Sequence, residues 1–598
     1  MLLEWLLVAL VLALAVRVLG ASRPSALLIA AMGLTTVAAA AALAGSAALP
    51  APAPIAGGGP DFATSGACRS CHPAEYSSWH ASFHRRMTQA AQLTNVASPT
   101  LLRGGRLRVE TTGRTVELYG CGHELWARLP DPEMTSAVSG ADYERVFRSA
   151  PVRDVQVVLL TGSHHHQTFW VGGARPGELR SVPVVYSIDE AQPLPRRDAF
   201  LNPPDAPEQA VRWNSNCVQC HSVAGAPKHD EATDAFTTSA AELGIACEAC
   251  HGPSAAHVSE MQNPLRRYRA HAAGSASTTN PKKLSRERAS EVCGRCHSYF
   301  FPKDEAGWWR DGFSKSYRPG QDLSEAQLLL SPEALAEPGA PELGADLSSL
   351  FYRDGTVRIG GREHNGLVRS PCFERGHGDR KLSCLSCHSM HRGEPNDQLD
   401  PEKLGNAACT SCHEAQRDNP SAHTHHAPGS PGSLCYNCHM PHTSYALLGA
   451  IRSHRVDSPA FDERTSDRPN ACNLCHLDES EAWAASSSAA WFGAKPRFVL
   501  DRALTTDAPA GAVFALTGDA AVRAVTAAAL GRSESSRPAT ALRAQLLTEL
   551  ARDPYAAVRF IAQRSRKTIG EAQGAPLSPD VVARLLAARD QRPVTIAE

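Results

Sequence analysis

The sequence predicts mostly short helices and loops, interrupted by a small β-rich insert and followed by an all-α C-terminal region. Three observations support this organisation. The pentapeptide Cys-x-x-Cys-His occurs eight times between residues 68 and 476. Residues 100–200 lack it and contain alternating apolar and polar runs that are typical of β-strands. Residues 481–598 contain neither Cys nor His and are rich in Ala, Leu and Arg, which is typical of helices.

The composition excludes several classes of protein. The chain has 598 residues, of which 43% are hydrophobic, so it can form real cores and is not a disordered chain. Its formal charge of −1 argues against a nucleic-acid binder, which needs a basic face. Its 18 Cys are too sparse for a small disulfide scaffold, and together with 25 His they indicate metal or redox chemistry.

The repeated pentapeptide predicts covalent haem attachment. Two thiols at this spacing can add to the two vinyl groups of one haem, and the adjacent His can ligate the iron from the proximal side. Zinc ribbons need no His directly after each second Cys, and a redox dithiol would occur once. The predicted covalent attachment residues are Cys68, Cys71, Cys217, Cys220, Cys247, Cys250, Cys293, Cys296, Cys384, Cys387, Cys409, Cys412, Cys435, Cys438, Cys472 and Cys475. The predicted proximal ligands are His72, His221, His251, His297, His388, His413, His439 and His476.

The predicted fold class is therefore a multihaem cytochrome c, in which short helices and loops surround eight stacked haem c groups. We expect this octahaem domain to span residues 61–480, with the β-rich insert at about 100–200. Two cysteines lie outside the motifs. Cys121 and Cys372 form one possible disulfide or are two buried thiols.

The N-terminal residues indicate export. Residues 1–49 are almost entirely apolar and predict a membrane anchor of one or two transmembrane helices, or a long signal peptide that is cleaved. With Arg17 and Arg23 kept cytoplasmic, the haem domain would lie on the periplasmic side, where this type of haem attachment takes place. Residues 50–60 are rich in Pro and Gly and predict a linker.

The C-terminal residues 481–598 contain a loose internal repeat. Residues 518–531 and 552–563 share an Asp that precedes Ala-Val-Arg at the start of an amphipathic helix. This pattern predicts two or three HEAT-type helical pairs. They would form either a docking platform or a cover for the haem domain.

The remaining histidines decide between an electron carrier and an enzyme. A haem with two His ligands carries electrons, whereas a haem with one vacant position can bind substrate. His80 and His84 have the i, i+4 spacing that places both on one face of a helix. Met87, Met390 and Met440 are weaker candidates for distal ligands.

Four segments resemble bacterial octahaem c-type cytochromes of the multihaem group that contains hydroxylamine oxidoreductase, pentahaem nitrite reductase and multihaem sulfite reductase. They are residues 161–170, 244–253, 370–391 and 435–442. In this group a His near each motif supplies the distal ligand. The resemblance therefore implies distal ligation by His84, His165, His257, His391, His425 or His426, His442 and His454. One haem remains, which His123 or His364 could ligate or which could be open.

These observations favour a periplasmic electron carrier between a quinol-side donor at the membrane and a periplasmic acceptor. The alternative is an oxidoreductase that reduces or oxidises nitrite, hydroxylamine or sulfite at one open haem. The expected partners are redox proteins and, through the N-terminal residues, the membrane, with no nucleic acid. The haem propionates would make the loaded protein acidic.

Overall fold

The computed structural model describes residues 56–596, except 58, 209, 274–276, 342–346, 463–464, 466, 494–507, 533–539 and 571–573. The predicted membrane anchor or signal peptide (1–49) and most of the predicted linker (50–60) lie outside the described residues. Within the described ranges, each helix is too short or too polar to cross a bilayer.

The chain enters the fold through one short strand and two helices and then forms a β-rich region. The elements up to residue 199 are β1 (Ala56–Gly57), α1 (Ser65–Cys68), α2 (Pro73–Ala81), β2 (Thr88–Ala90), α3 (Pro99–Leu102), β3 (Arg106–Thr111), β4 (Arg114–Cys121), β5 (Glu124–Pro130), α4 (Pro132–Ser136), α5 (Ala141–Ser149), β6 (Val152–Val157), β7 (Leu159–Thr161), β8 (His166–Gly172), β9 (Leu179–Ser187) and β10 (Gln192–Pro195).

Two antiparallel sheets make up the β-rich region. One has the strand order β3-β4-β5-β6 and the other has the order β10-β9-β8-β7-β2. Thr112 and Gly113 connect β3 to β4 with φ of 50° and 76°, the left-handed backbone that a two-residue hairpin turn requires. Buried side chains of both sheets, among them Leu118 and Val182, form one apolar cluster. The strands lie where the sequence predicts the insert, and β2 extends the region towards the N-terminus.

The next part of the chain contains short helices, short strand pairs and long loops. Its elements are α6 (Trp213–Asn216), β11 (Ser222–Val223), β12 (His229–Asp230), β13 (Ala235–Phe236), β14 (Ser239–Ala240), β15 (Glu242–Leu243), α7 (Cys247–His251), α8 (Ala255–Met261), α9 (Pro264–Ala273), α10 (Arg286–Gly294), β16 (Phe300–Pro302), α11 (Glu305–Asp311), α12 (Phe313–Ser316), β17 (Gln327–Leu329), α13 (Pro332–Ala336), α14 (Leu347–Leu350), α15 (Glu363–Val368), α16 (Pro371–Glu374), α17 (Ala407–Thr410), α18 (Pro420–Thr424), α19 (Cys435–His439), β18 (Ser444–Ala446) and β19 (Gly449–Ile451).

The C-terminal residues form longer helices. They are α20 (Glu481–Phe492), α21 (Ala510–Thr517), α22 (Ala520–Gly531), α23 (Thr540–Leu550), α24 (Ala556–Arg566) and α25 (Pro579–Ala587). Helix α22 packs against α21, α23, α24 and β19. The all-α character predicted for this region is observed, and its assignment to HEAT repeats stays a prediction.

The helices α21–α25 share their core with the motif-bearing part of the chain. One apolar cluster combines residues of 185–201, 330–359, 445–448 and 474–477 with residues of 512–596. Arg358 and Asp519 form a buried ion pair across this contact. The backbones of Leu201 and Ile596 exchange two hydrogen bonds of 3.1 and 2.8 Å. The C-terminal helices and the motif-bearing region are therefore packed together around one core.

Candidate cofactor sites

All eight Cys-x-x-Cys-His motifs adopt one turn of helix. We call them sites 1 to 8 in chain order: Cys68–His72, Cys217–His221, Cys247–His251, Cys293–His297, Cys384–His388, Cys409–His413, Cys435–His439 and Cys472–His476. Sites 3 and 7 are the helices α7 and α19. In the other six, the His N–H donates to the carbonyl of the first Cys over 2.8–3.0 Å. A helical turn places residues three and four apart on one face, so both thiols and the imidazole point to the same side.

Five of the eight motif histidines face a second histidine ring that comes from outside the motif. The pairs are His251 with His391 (6.1 Å between ring centroids), His297 with His84 (6.3 Å), His388 with His454 (6.2 Å), His439 with His423 (6.1 Å) and His476 with His426 (6.0 Å). An imidazole nitrogen lies about 2 Å from a metal ion that it ligates. Two rings that ligate one ion from opposite sides therefore have centroids about 6 Å apart. Sites 3, 4, 5, 7 and 8 fit a haem with two His ligands.

Hydrogen bonds fix the orientation of four motif histidines. The Nδ1 atoms of His251, His388 and His439 lie 2.8, 2.9 and 3.0 Å from the carbonyl oxygens of Thr279, Asp397 and Asp457. The Nδ1 of His297 lies 2.8 Å from the Glu363 carboxylate. Since Nδ1–H donates in each case, Nε2 keeps its lone pair for a metal ion.

Four of the predicted distal ligands lie opposite a motif histidine, namely His84, His391, His426 and His454. The partner of His84 is at site 4, although the nearest motif in the sequence is site 1. Burial, followed by the charge of His297, lowers the pKa of His84 to about 4. His84 is therefore neutral at pH 7, which is the form that binds a metal ion.

The other predicted distal ligands have different surroundings. His165 stacks on His164 and bonds through Nδ1 to Asp189 over 2.8 Å. His425 stacks on Trp491 with the ring centroids 4.3 Å apart.

Two further predicted ligands, His257 and His442, both have a pKa below the usual value for histidine. The Nδ1 of His257 lies 3.3 Å from Ser277 Oγ, and burial, followed by the charge of the motif histidine His72 of site 1, lowers the pKa of His257. The pKa of His442 is lowered to about 3 by burial and then by Arg532 and Arg452.

The sequence analysis missed His423, which faces site 7. His423 lies in α18, and His425 ends this helix with a left-handed backbone (φ 55°). The chain reverses there, so that His423 faces His439 while His426 faces His476. The cluster of three histidines within four residues was the available signal, but local spacing alone favoured the two that stand nearer to the motif.

The two histidines that the resemblance left open differ in exposure. His123 is exposed on the turn between β4 and β5. His364 is buried, its Nδ1 lies 3.1 Å from Ser298 Oγ, and its Nε2 has no hydrogen-bond partner.

The cysteines outside the motifs do not form the disulfide that the sequence suggested. Cys121 is an exposed thiol at the end of β4, and Cys372 is a half-buried thiol in α16. Burial raises the pKa of the Cys372 thiol. The alternative of two buried thiols is also wrong for Cys121, because the hairpin end that carries it faces solvent.

Attachment cysteines of different sites lie close together. Cys68 is near Cys247, Cys220 is near Cys296, Cys293 is near Cys384 and Cys409 is near Cys435. Attachment cysteines of sites 3 and 4, of sites 5 and 6, and of sites 7 and 8 are also neighbours. The eight sites therefore form one series, 1-3-4-5-6-7-8, with site 2 attached at site 4.

Comparison with known proteins identifies the type of site. Family models match residues 377–418 as "Doubled CXXCH motif" and residues 197–252 as "Cytochrome c554 and c-prime". The chain is 22% identical over 272 residues to the multihaem cytochrome MtrA of Shewanella baltica (strain OS185), which is 44% of this chain and 53% of MtrA. The match thus spans about half the length of that relative.

Two solved structures are also similar. The outer cell wall cytochrome OcwA is 16% identical with a TM-score of 0.45, over 88% of this chain and 99% of OcwA. An undecahaem cytochrome from the S-layer of Carboxydothermus ferrireducens is 14% identical with a TM-score of 0.32, over 87% of this chain and 70% of that chain. The motifs, the family models and the curated relative support covalently bound c-type haems.

Proposed function

We propose that this chain, which its motifs and relatives define as a multihaem c-type cytochrome, is an electron carrier that holds eight haems. The observation that carries the proposal is the set of five opposed histidine pairs. A haem with two His ligands exchanges single electrons and offers no coordination position to a substrate.

The chain supplies the two ligands of each pair from separate segments. His84 follows α2, whereas its partner His297 follows α10. His391 and His454 likewise face motifs that lie outside their own loops. The fold therefore fixes both rings of these pairs at once, and a haem bound there would keep the same two ligands in both oxidation states.

The arrangement of the sites also supports a carrier. Seven sites follow one another with neighbouring attachment cysteines, and site 2 joins the series at site 4. Close spacing of successive sites serves electron transfer along the series.

The cellular location and the redox partners of this carrier are also part of the proposal. The apolar residues 1–49 favour a location on the periplasmic side of the membrane, with a quinol-side donor and a periplasmic acceptor as partners. The haem propionates add negative charge to a nearly neutral chain, so these partners would offer basic faces. We also propose that the fold belongs with the octahaem cytochromes and that α21–α25 are HEAT-like pairs covering the haem region.

An anaerobic reductive titration of the full chain tests the proposal. The haem content is measured first as the pyridine haemochrome, and reduction is then followed in the visible spectrum. We expect eight haems per chain and the uptake of eight electrons without any added substrate. Fewer haems than motifs, or a haem that added nitrite or sulfite rapidly reoxidises or that added hydroxylamine reduces, would contradict it.

A further inference from the structure

One motif histidine has a different hydrogen-bond partner from the others whose Nδ1 partner is described. His251, His388 and His439 donate to backbone carbonyl oxygens. His297 of site 4 donates to the carboxylate of Glu363, with 2.8 Å between Nδ1 and Oε2. A carbonyl carries a partial charge, whereas a carboxylate carries a full one, so the bond to Glu363 is the stronger type.

The backbone holds Glu363 in this position. The Gly361 N–H donates to the other carboxylate oxygen, Oε1, over 2.8 Å. The next residue, His364, donates its backbone N–H to the carbonyl of His297 over 3.0 Å. The His364 N–H bond and the Nδ1 bond of His297 thus tie the segment of Glu363 to the segment of His297. The side chain of Glu363 is 25% exposed, so water screens the contact only in part.

We propose that Glu363 is a positioning residue that lowers the reduction potential of site 4. A carboxylate that accepts the Nδ1–H proton makes the imidazole a stronger electron donor through Nε2. A stronger axial donor stabilises the oxidised metal relative to the reduced one. Site 4 is therefore harder to reduce than the same site would be with a neutral acceptor.

The position of site 4 in the series gives its lowered reduction potential a function in electron transfer. The Sγ of Cys296 in site 4 lies 3.9 Å from the carbonyl oxygen of Cys220 in site 2, and Cys293 lies near Cys384 of site 5. The thiol of Cys250 in site 3 also lies near Cys293. Three sites therefore meet at site 4. With a low reduction potential at site 4, electrons would stay on sites 2, 3 and 5 until a difference in potential drives them through site 4.

The motif of site 4 also contains a buried cation, Arg295, whose effect differs from that of Glu363. Arg295 is 7% exposed and lies near Cys220, Cys250 and Cys296. Its charge therefore acts on sites 2, 3 and 4 together. The charge of Glu363 also reaches His454 and Cys384 of site 5, but its only hydrogen bond to a described motif histidine is the one to His297, which distinguishes site 4 from its neighbours.

The ring geometry gives site 4 a spectroscopic signature. His84 and His297 are tilted by 59°, whereas the other four pairs are tilted by 9–39°. Imidazole planes far from parallel give a low-spin ferric haem a larger principal g value than nearly parallel planes do. Among the five sites with opposed histidines, site 4 is therefore expected to give the low-spin EPR signal with the largest g value in the oxidised chain.

The test is an EPR-monitored redox titration of the full chain and its Glu363→Gln variant. The Gln side chain keeps an acceptor oxygen but removes the charge, which makes site 4 resemble the sites that use a carbonyl. We expect the reduction equilibrium constant of the large-g signal to rise about tenfold, which is 59 mV for a one-electron couple. The other signals should shift less.

A matched control and a second readout keep the outcomes distinct. Glu333→Gln removes a more exposed carboxylate, one that pairs with Arg369, and should leave the large-g signal in place. The inference rests on the proposed function as an electron carrier. The measured haem content distinguishes failure of that function from failure of the inference. A haem count well below eight contradicts the carrier, whereas a full count with an unmoved large-g signal in Glu363→Gln contradicts the role of Glu363.

Discussion

Replacing His423 tests the ligand assignment at site 7, which local sequence spacing does not provide. His423 faces His439 with 6.1 Å between the ring centroids. In His423→Ala the iron of site 7 would keep His439 and lose its second His ligand. Because one of eight motifs is affected, about one eighth of the haem iron should change from low spin to high spin.

The assay is EPR spin quantitation of the oxidised full chain. His425→Ala is the matched control, because His425 belongs to the same turn but stacks on Trp491. It should leave the spin state of every haem as it is in the unchanged chain. Added imidazole should restore the low-spin signal in His423→Ala, since it can occupy the position that the side chain has left. A high-spin signal in His425→Ala, with none in His423→Ala, would refute the assignment.

Three further substitutions test a buried ion pair, a buried carboxyl and one attachment motif. Asp519→Ala leaves the buried Arg358 unpaired and should lower the free energy of unfolding by about 3–5 kcal/mol in denaturant titrations. Burial raises the pKa of Glu208 from 4.5 to about 7, so Glu208 should cost roughly 3 kcal/mol of stability as the pH rises through that interval. Glu208→Gln should remove this pH dependence, and equal slopes for both proteins would contradict the assignment. Replacing Cys435 and Cys438 by Ala should remove one haem per chain, and an unchanged pyridine haemochrome would contradict that expectation.

The attachment motifs could be predicted from the sequence because their chemistry is local. Five consecutive residues contain both thiols and the proximal ligand, and a single helical turn orients them. The β-hairpin around Gly113 was likewise visible, since two residues set its turn. The same holds for the all-α character of residues 481–598, which is explained by their helix-forming composition.

The pairing of ligands could not be predicted from local spacing. His84 follows site 1 in the sequence but faces site 4, because the loop after α2 packs beside the loop that contains Gly244. His423 was missed because the reversal at His425 depends on one left-handed backbone angle. The ion pair of Arg358 with Asp519 joins segments 161 residues apart, and no periodicity in either segment indicates it.

The most direct test of the electron-carrier proposal is the EPR spectrum of the oxidised full chain, recorded before and after addition of nitrite, hydroxylamine or sulfite. The proposal extends histidine ligation on both sides from the five sites with opposed rings to sites 1, 2 and 6, and therefore predicts low-spin signals that none of these compounds changes. A high-spin signal that shifts when one of them is added would contradict the account and identify an open haem that binds substrate.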